Sequence, residues 1–298
     1  MAEYKRGPRE CFVSRPGWAI VSVDYDACEM RTWAQICYWL LGYSSLRDIL
    51  NDPKRCPHVE MGASLRGLTV AEAYKLKGSA RGDLRGMAKG PNFGLPGGMG
   101  APRLMDYCRQ NYGVVLTLEQ AQEACRLWRV VYPEAQPYLD WVKTQIGRKY
   151  GSRATIEQFV SKRVRGDVGF CDASNGYFQG LAADIAKAAG WRLMEQAYEV
   201  SSSPLYGSRP LAFVHDEWLF EVPLDRVHEA GHCMADVMCR TAMEYCPDVL
   251  FTAAPAAMLR WSKAAGDPCY ALNNKLVKAT EGGRLVTFEQ AQQIKEAA

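Results

Sequence analysis

The sequence predicts an α+β protein in which strands from the two ends of the chain share one sheet and a helical middle is inserted between them. Three observations carry this. Residues 18–23 form a short apolar run with β-branched members after Pro16-Gly17, the signature of a buried strand that delivers Asp24 at its end. Residues 211–222 read as two strands flanking a tight turn at His215-Asp216. Between these segments the apolar spacing is helical. Asp24 and Asp216 lie 192 residues apart and meet only if the first strand joins the hairpin's sheet.

The elements follow in order. Helical patterning runs from about residue 29 to 41 and stops near Gly42, and residues 51–57 form a turn-rich loop. Residues 70–109 are mostly helical, interrupted by glycines and by Pro91 and Pro96. Helices are expected over 118–131, with Thr117 as N-cap, and over 134–146. Residues 151–169 are basic, mixed and exposed in this reading. A long amphipathic helix covers 177–198 and another 224–243. The tail beyond Gly266 is polar, then helical from Thr287. No internal repeat or low-complexity segment is present.

Composition narrows the class. The chain has 298 residues, 48% of them hydrophobic, enough to bury a core and too apolar for disorder. The net charge of +3 permits a local nucleic-acid-binding patch without requiring one. The 11 cysteines show no CxxC pair, which favours reduced thiols and a cytoplasmic setting over a disulfide framework. Residues 1–10 lack the apolar core of a signal peptide, and no run approaches the roughly 18 apolar residues of a membrane span.

Two groups of residues point to phosphoryl transfer. Asp24 and Asp216 each end an apolar run, where a rigid backbone can hold a carboxylate. Two-metal catalysis clamps the attacking and leaving oxygens with ions about 3.5–4 Å apart, and hard divalent cations prefer carboxylate oxygen. For either aspartate alone, a turn residue or helix cap is the better reading. Arg85, Lys89 and Phe93 stand at i, i+4 and i+8 and form one helical stripe. Arg grips phosphate oxygens bidentately, Lys supplies a compact charge, and the ring can stack on a sugar or base. The plainer alternative is a solvated basic face.

The wording of three segments resembles motifs A, B and C of the DNA polymerase I family (family A). They are Asp24-Tyr25-Asp26-Ala27-Cys28-Glu29-Met30-Arg31, Arg85-Gly86-Met87-Ala88-Lys89-Gly90-Pro91-Asn92-Phe93-Gly94 and Val214-His215-Asp216-Glu217. The resemblance runs from about Arg9 to Trp261. It implies a right-hand polymerase palm, an antiparallel sheet with helices, interrupted by helical fingers. Palm is expected over 1–35 and 166–298, and fingers over 36–165. The function implied is template-directed addition of dNTPs to a primer 3′-hydroxyl with two Mg²⁺, for which Mn²⁺ can substitute. Asp24, Asp216 and the Tyr25 carbonyl would bind metal. Asp24, Asp216, Glu217 and Lys89 would be catalytic. Arg85, Lys89, Phe93, His58, Tyr25 and the ribose-proximal Glu29 would bind the dNTP. Asn175, Gln179, Arg31 and His215 would contact DNA. Apart from the resemblance, nearby Lys162, Arg163 and Arg165 read equally as phosphate ligands or as an exposed basic loop.

The chain departs from the family at Pro91, which should distort the helix, and at Gly97, where a tyrosine is usual and without which the helix should end early. Cys171 stands where the family has an arginine. The Leu95-Pro96-Gly97-Gly98 wording and compact size resemble phage variants, which implies a bacterial or phage-infected cell. The family's thumb and exonuclease domains would precede residue 1. Either the chain is a cut-down piece of such a polymerase, or a separate chain carrying them is its partner; a weak or inactive DNA-binding subunit of a split polymerase is the alternative function. Two other readings compete. His228-Glu229-Ala230-Gly231-His232 matches the H-E-x-x-H zinc-hydrolase pattern without a clear third ligand. A single-subunit RNA polymerase would share the palm, but Glu29 favours deoxynucleotides.

Overall fold

A computed structural model describes residues 8–147, 149, 151–258 and 260–261, together with the backbone of two short strands at 271–272 and 275–276. The helix expected from Thr287 lies outside the described residues. The chain forms two compact units: Met1–Asp26, Ile185–Glu244 and Phe251–Ala298 make one, and Ala27–Asp184 with Tyr245–Leu250 make the other.

The first unit is built on a four-stranded sheet in which every pairing is antiparallel. Strand β1 (Trp18–Tyr25) lies inside it. It pairs on one side with β5 (Glu217–Pro223) and on the other with β6 (Ala253–Met258), while β4 (Arg209–Val214) forms the edge beyond β5. Residues 19–23 of β1 are all buried, which is why that segment reads as a continuous apolar run and not as an alternation. Ile20, Leu219, Ala256, Met258 and Trp261 pack as one cluster, flanked by Ala212 and Val214.

Two helices are tied to the sheet through Tyr25 and Trp218. Helix α10 (Val227–Tyr245), entered through a 3-10 turn at Leu224–Arg226, takes the Tyr25 hydroxyl on its Met238 carbonyl at 2.8 Å. Residues 185–198 of the long helix α9 (Phe170–Tyr198) receive Trp218, whose Nε1 donates to the Ala186 carbonyl at 2.9 Å. Gly190 makes that approach possible. A Cβ there would fall 2.0 Å from Trp218 Cζ2.

The second unit is helical: α1 (Cys28–Leu41), α2 (Ser45–Asn51), α3 (Pro57–Leu65), α4 (Val70–Lys75), α5 (Gly78–Gly94), α6 (Ala101–Tyr112), α7 (Leu118–Val131), α8 (Ala135–Ile146) and residues 170–184 of α9. Its core is aromatic. Trp33 stacks on Trp128 at 5.4 Å and meets Tyr132 and Tyr138 edge-on. Thr117 caps α7 as expected, through a capping box with Gln120. Helix α2 fills residues between Gly42 and the expected loop, where no element was expected; Ser44 caps it, and the buried Glu134 accepts from Ser44 Oγ at 2.8 Å and from the Leu46 amide at 2.9 Å.

Residues 151–169, read as basic, mixed and exposed, contain β2 (Ala154–Glu157) and β3 (Val164–Val168), which form a bulged hairpin. It lies on α9 at two glycines four residues apart. A Cβ on Gly176 would meet Ile156 at 2.8 Å, and one on Gly180 would meet the Gln158 amide at 2.2 Å. Helix α9 begins at Phe170, seven residues before the expected start. Helix α5 runs through Pro91 to Gly94; the Leu95 amide donates to the Pro91 carbonyl, and a 3-10 turn (Leu95–Gly97) follows. All of α1 and the first half of α9 belong with the helices, tied by Thr32 Oγ1 donating to the Phe178 carbonyl at 2.9 Å and the Tyr138 hydroxyl donating to the Ser174 carbonyl at 2.7 Å.

Ten cysteines among the described residues are free thiols. No described helix is long and apolar enough to cross a membrane.

Candidate active site

In the sheet unit the register itself gathers the carboxylates. Val23 pairs with Trp218 and Val214 with Glu217. One further step along β1 brings Asp24 level with Glu217, whose neighbour Asp216 sits in the two-residue turn between β4 and β5. Both aspartates thus come to one end of the sheet on adjacent strands, and both are half-buried. His215 occupies the first central position of the turn with φ 59°, a left-handed conformation that two-residue hairpins usually give to glycine. Its side chain is exposed.

Around this end the chain is tied down. Asp26 accepts from the Thr252 hydroxyl at 2.9 Å, and its amide donates to the Thr252 carbonyl. The Tyr25 side chain is buried against Phe251 with its hydroxyl on α10, so its ring is core and only its main chain is left for the role expected of it. Glu217 is buried too. Its Oε1 accepts from Ser22 Oγ at 2.5 Å and from Trp261 Nε1 at 3.2 Å, and Arg9 stands 3.6 Å from Oε2.

The donor set suits a hard divalent cation of the Mg²⁺ type, which takes one or two carboxylates and completes its shell with water and substrate oxygens. It does not suit a closed protein cage. Among the described residues no three His, Cys, Asp or Glu side chains gather as a metal site. The H-E-x-x-H segment shares that lack: His228 is buried, Glu229 and His232 are exposed, and no third ligand joins them among the described residues.

In the helical unit, α5 is amphipathic in the needed sense. Leu84, Ala88, Gly90, Pro91 and Asn92 are buried, while Arg85 and Lys89 are exposed and Phe93 is half-buried. Among the described residues neither cation forms an ion pair. Their charge is felt by His58 in the first turn of α3. Burial foremost, then Arg85 and Lys89, push the His58 pKa down to about 4, so the imidazole is neutral at physiological pH. Its Nδ1 lies 3.0 Å from Asn92 Nδ2, which also donates to the Pro57 carbonyl. An amide nitrogen only donates, so Nδ1 accepts and the proton sits on Nε2. His58 also packs at 5.3 Å from the Phe93 ring. Asn92 is a residue whose part sequence reasoning missed. It is buried, it fixes the His58 tautomer, and only its place between Lys89 and Phe93 hinted at a role.

The remaining expected residues divide. Glu29, in the first turn of α1, accepts from Gln179 Nε2 at 3.4 Å. Asn175 donates to the Cys171 carbonyl at 2.9 Å and fills the space that a side chain on Gly97 would need; a Cβ there would lie 2.5 Å from its Oδ1. Arg31, expected at DNA, is buried, and its guanidinium donates to the Leu250 carbonyl. Of the hairpin cations, Lys162 pairs with Glu157 at 3.4 Å and Arg163 with Asp184 at 2.9 Å. Arg165 forms no ion pair among the described residues.

Fold and residue placement together define a polymerase-type palm with its helical companion. A family model for DNA polymerase family A matches residues 1–254, and the chain belongs to that family. Among similar proteins, DNA polymerase I of Deinococcus radiodurans is 28% identical over 245 residues, which cover 80% of this chain and 23% of that protein. The thermostable DNA polymerase I of Thermus filiformis is 30% identical over 240 residues, covering 77% and 26%. The chain therefore spans about a quarter of the length of these relatives. A solved structure, the POL domain of Pol1 from M. smegmatis in complex with DNA primer-template and dNTP, matches with a TM-score of 0.64. The match covers 85% of this chain and 42% of that one, and at 22% identity it speaks for the fold.

Proposed function

We propose that this chain is the catalytic core of a template-directed DNA polymerase, extending a primer 3′-hydroxyl with dNTPs. The observation that carries the reading is the strand register, which brings Asp24 and Asp216 to one end of the sheet although 192 residues separate them. Asp24, Asp216 and the Tyr25 main-chain carbonyl would hold the divalent cations. When bound, those ions neutralise charge on the phosphates and on the attacking oxygen. The cations of α5 supply the complementary part. Arg85 grips the triphosphate, and Lys89 places a point charge close to the reacting phosphorus. Phe93 and neutral His58 offer a ring surface and an N–H donor to the sugar and phosphates. Glu29, held by Gln179, lies against the sugar, and Asn175 and Gln179 contact the primer-template. A partner chain supplying a thumb would add the phosphate contacts that processive synthesis needs.

The test is primer extension with Mg²⁺ and dNTPs, comparing the native chain with Asp216→Ala. Template-directed addition that disappears in the variant is the expected result. No addition by the native chain at low salt and high enzyme concentration, with DNA still bound, would reject catalysis and favour a DNA-binding subunit.

A further inference from the structure

Residues 8–17 precede the sheet unit's first strand and are laced to the sheet at several points. Phe12 meets Trp261 edge-on at 5.5 Å, the Trp261 amide donates to the Phe12 carbonyl at 3.0 Å, and Val13 bridges Arg260. Two arginines of this segment reach two glutamates of β5. Arg15 gives Glu221 its backbone amide at 2.8 Å, its Nε at 2.8 Å and an ion pair from NH2 at 2.8 Å, and its guanidinium stacks on Trp18. Arg9 stands 3.6 Å from Glu217 Oε2 and lies over the Trp261 ring at 4.5 Å. Glu217 and Glu221 are four residues apart on the strand, project from the same face and are only 3% and 5% exposed.

Burying a carboxylate this deep is costly unless its oxygens find hydrogen-bonding and ionic partners. Both oxygens of Glu217 have them: Ser22 and Trp261 on one, Arg9 on the other. These partners come from the N-terminal segment, β1 and the stretch after β6. They meet on the residue directly following Asp216.

We propose that Glu217 is a positioning residue and not a metal ligand: it anchors the turn carrying Asp216 to Ser22, Trp261 and Arg9, and residues 8–17 belong to the machinery that sets Asp216. This rests on the polymerase reading. Glu221 repeats the device further along β5 and fixes the same segment at its other end.

The test pairs kinetics with amide hydrogen exchange at residues 214–218 in Glu217→Ala, Glu217→Gln, Ser22→Ala and Arg9→Ala. Gln keeps the acceptor for Ser22 and Trp261 but not the charge. Expected are faster exchange at the turn and a fall in kcat of about 10- to 100-fold in Glu217→Ala, smaller changes in the same direction in Ser22→Ala and Arg9→Ala, and partial rescue of both readouts by Gln. The Mg²⁺ requirement stays where it is in all four. Glu217→Gln as inactive as Asp216→Ala, or a raised Mg²⁺ requirement with native exchange, would overturn the proposal. If Glu217→Ala does not fold, Ser22→Ala and Arg9→Ala carry the test. If the native chain proves inactive, exchange alone decides, and native protection of the turn in these variants rejects the anchoring.

Discussion

Replacing Gly190 with alanine tests how the hairpin is held. The new Cβ would stand 2.0 Å from Trp218 Cζ2 and 2.7 Å from Cε2 and Cη2, so the ring must retreat by about 1.5 Å to reach ordinary contact. Trp218 has little room to do so. Its Nε1 is bonded to the Ala186 carbonyl at 2.9 Å, and it stacks on Phe213 at 4.4 Å. Overpacking of this kind costs about 1–3 kcal/mol, and straining the indole bond adds about 1 kcal/mol. Alanine's helix propensity returns about 1 kcal/mol. The expected net loss is about 1–3 kcal/mol. Gly82→Ala on α5 is the control: that position is exposed with nothing within 4 Å, so only the propensity gain of up to about 1 kcal/mol remains. Urea unfolding followed by tryptophan fluorescence gives both numbers, and hydrogen exchange at β5 locates the first. Gly190→Ala as stable as the native chain would refute the reasoning, because the Trp218 contact could then not be as tight as described.

Other outcomes follow from the same geometry. His58 has a native pKa of about 4 against about 6.5 when unfolded, so its contribution is complete above pH 6.5 and is lost as pH falls toward 4. At 1.4 kcal/mol per unit this amounts to about 3 kcal/mol; His58→Gln should flatten the stability slope between pH 6.5 and 4.5, and an unchanged slope in urea titrations would contradict the assignment. Arg85→Ala and Lys89→Ala remove exposed cations that form no ion pair among the described residues, so stability should stay within about 0.5 kcal/mol while kcat/KM for dNTP falls; a stability loss matching the activity loss would make the stripe structural. Gly97→Ala forces the end of the Asn175 side chain to turn away, which costs little stability but should weaken primer-template binding in fluorescence anisotropy. Unchanged affinity would remove Asn175 from the DNA contacts.

Much of this organisation was legible in the chain because it is local. The run at 18–23, the Thr117 cap and the turn at His215-Asp216 each announce themselves within a few residues, and each forms as read. The hairpin of β2 and β3 was not legible because Val164-Arg165-Gly166-Asp167-Val168 has no apolar alternation; it is held by glycines on α9 that a linear reading cannot pair with it. Arg31 followed the motif wording, yet its burial depends on a carbonyl 219 residues away. Glu217 is the same case. Its partners Arg9, Ser22 and Trp261 span almost the whole described chain, and only the strand register shows that they converge.

That register also sets a timetable for synthesis. Strand β1 is made early, but its neighbours β5 and β6 begin only at Glu217 and Ala253. At about 5–20 residues per second, roughly 10–50 s of translation separate the first strand from its last partner. Until β5 is complete at Pro223 the apolar segment at 18–23 has no partner strand, whereas most contacts of the helical unit fall within 27–184 and can form first. The sheet unit is thus assembled after the helical one, and the nascent chain depends on whatever shields one unpaired strand until β5 arrives.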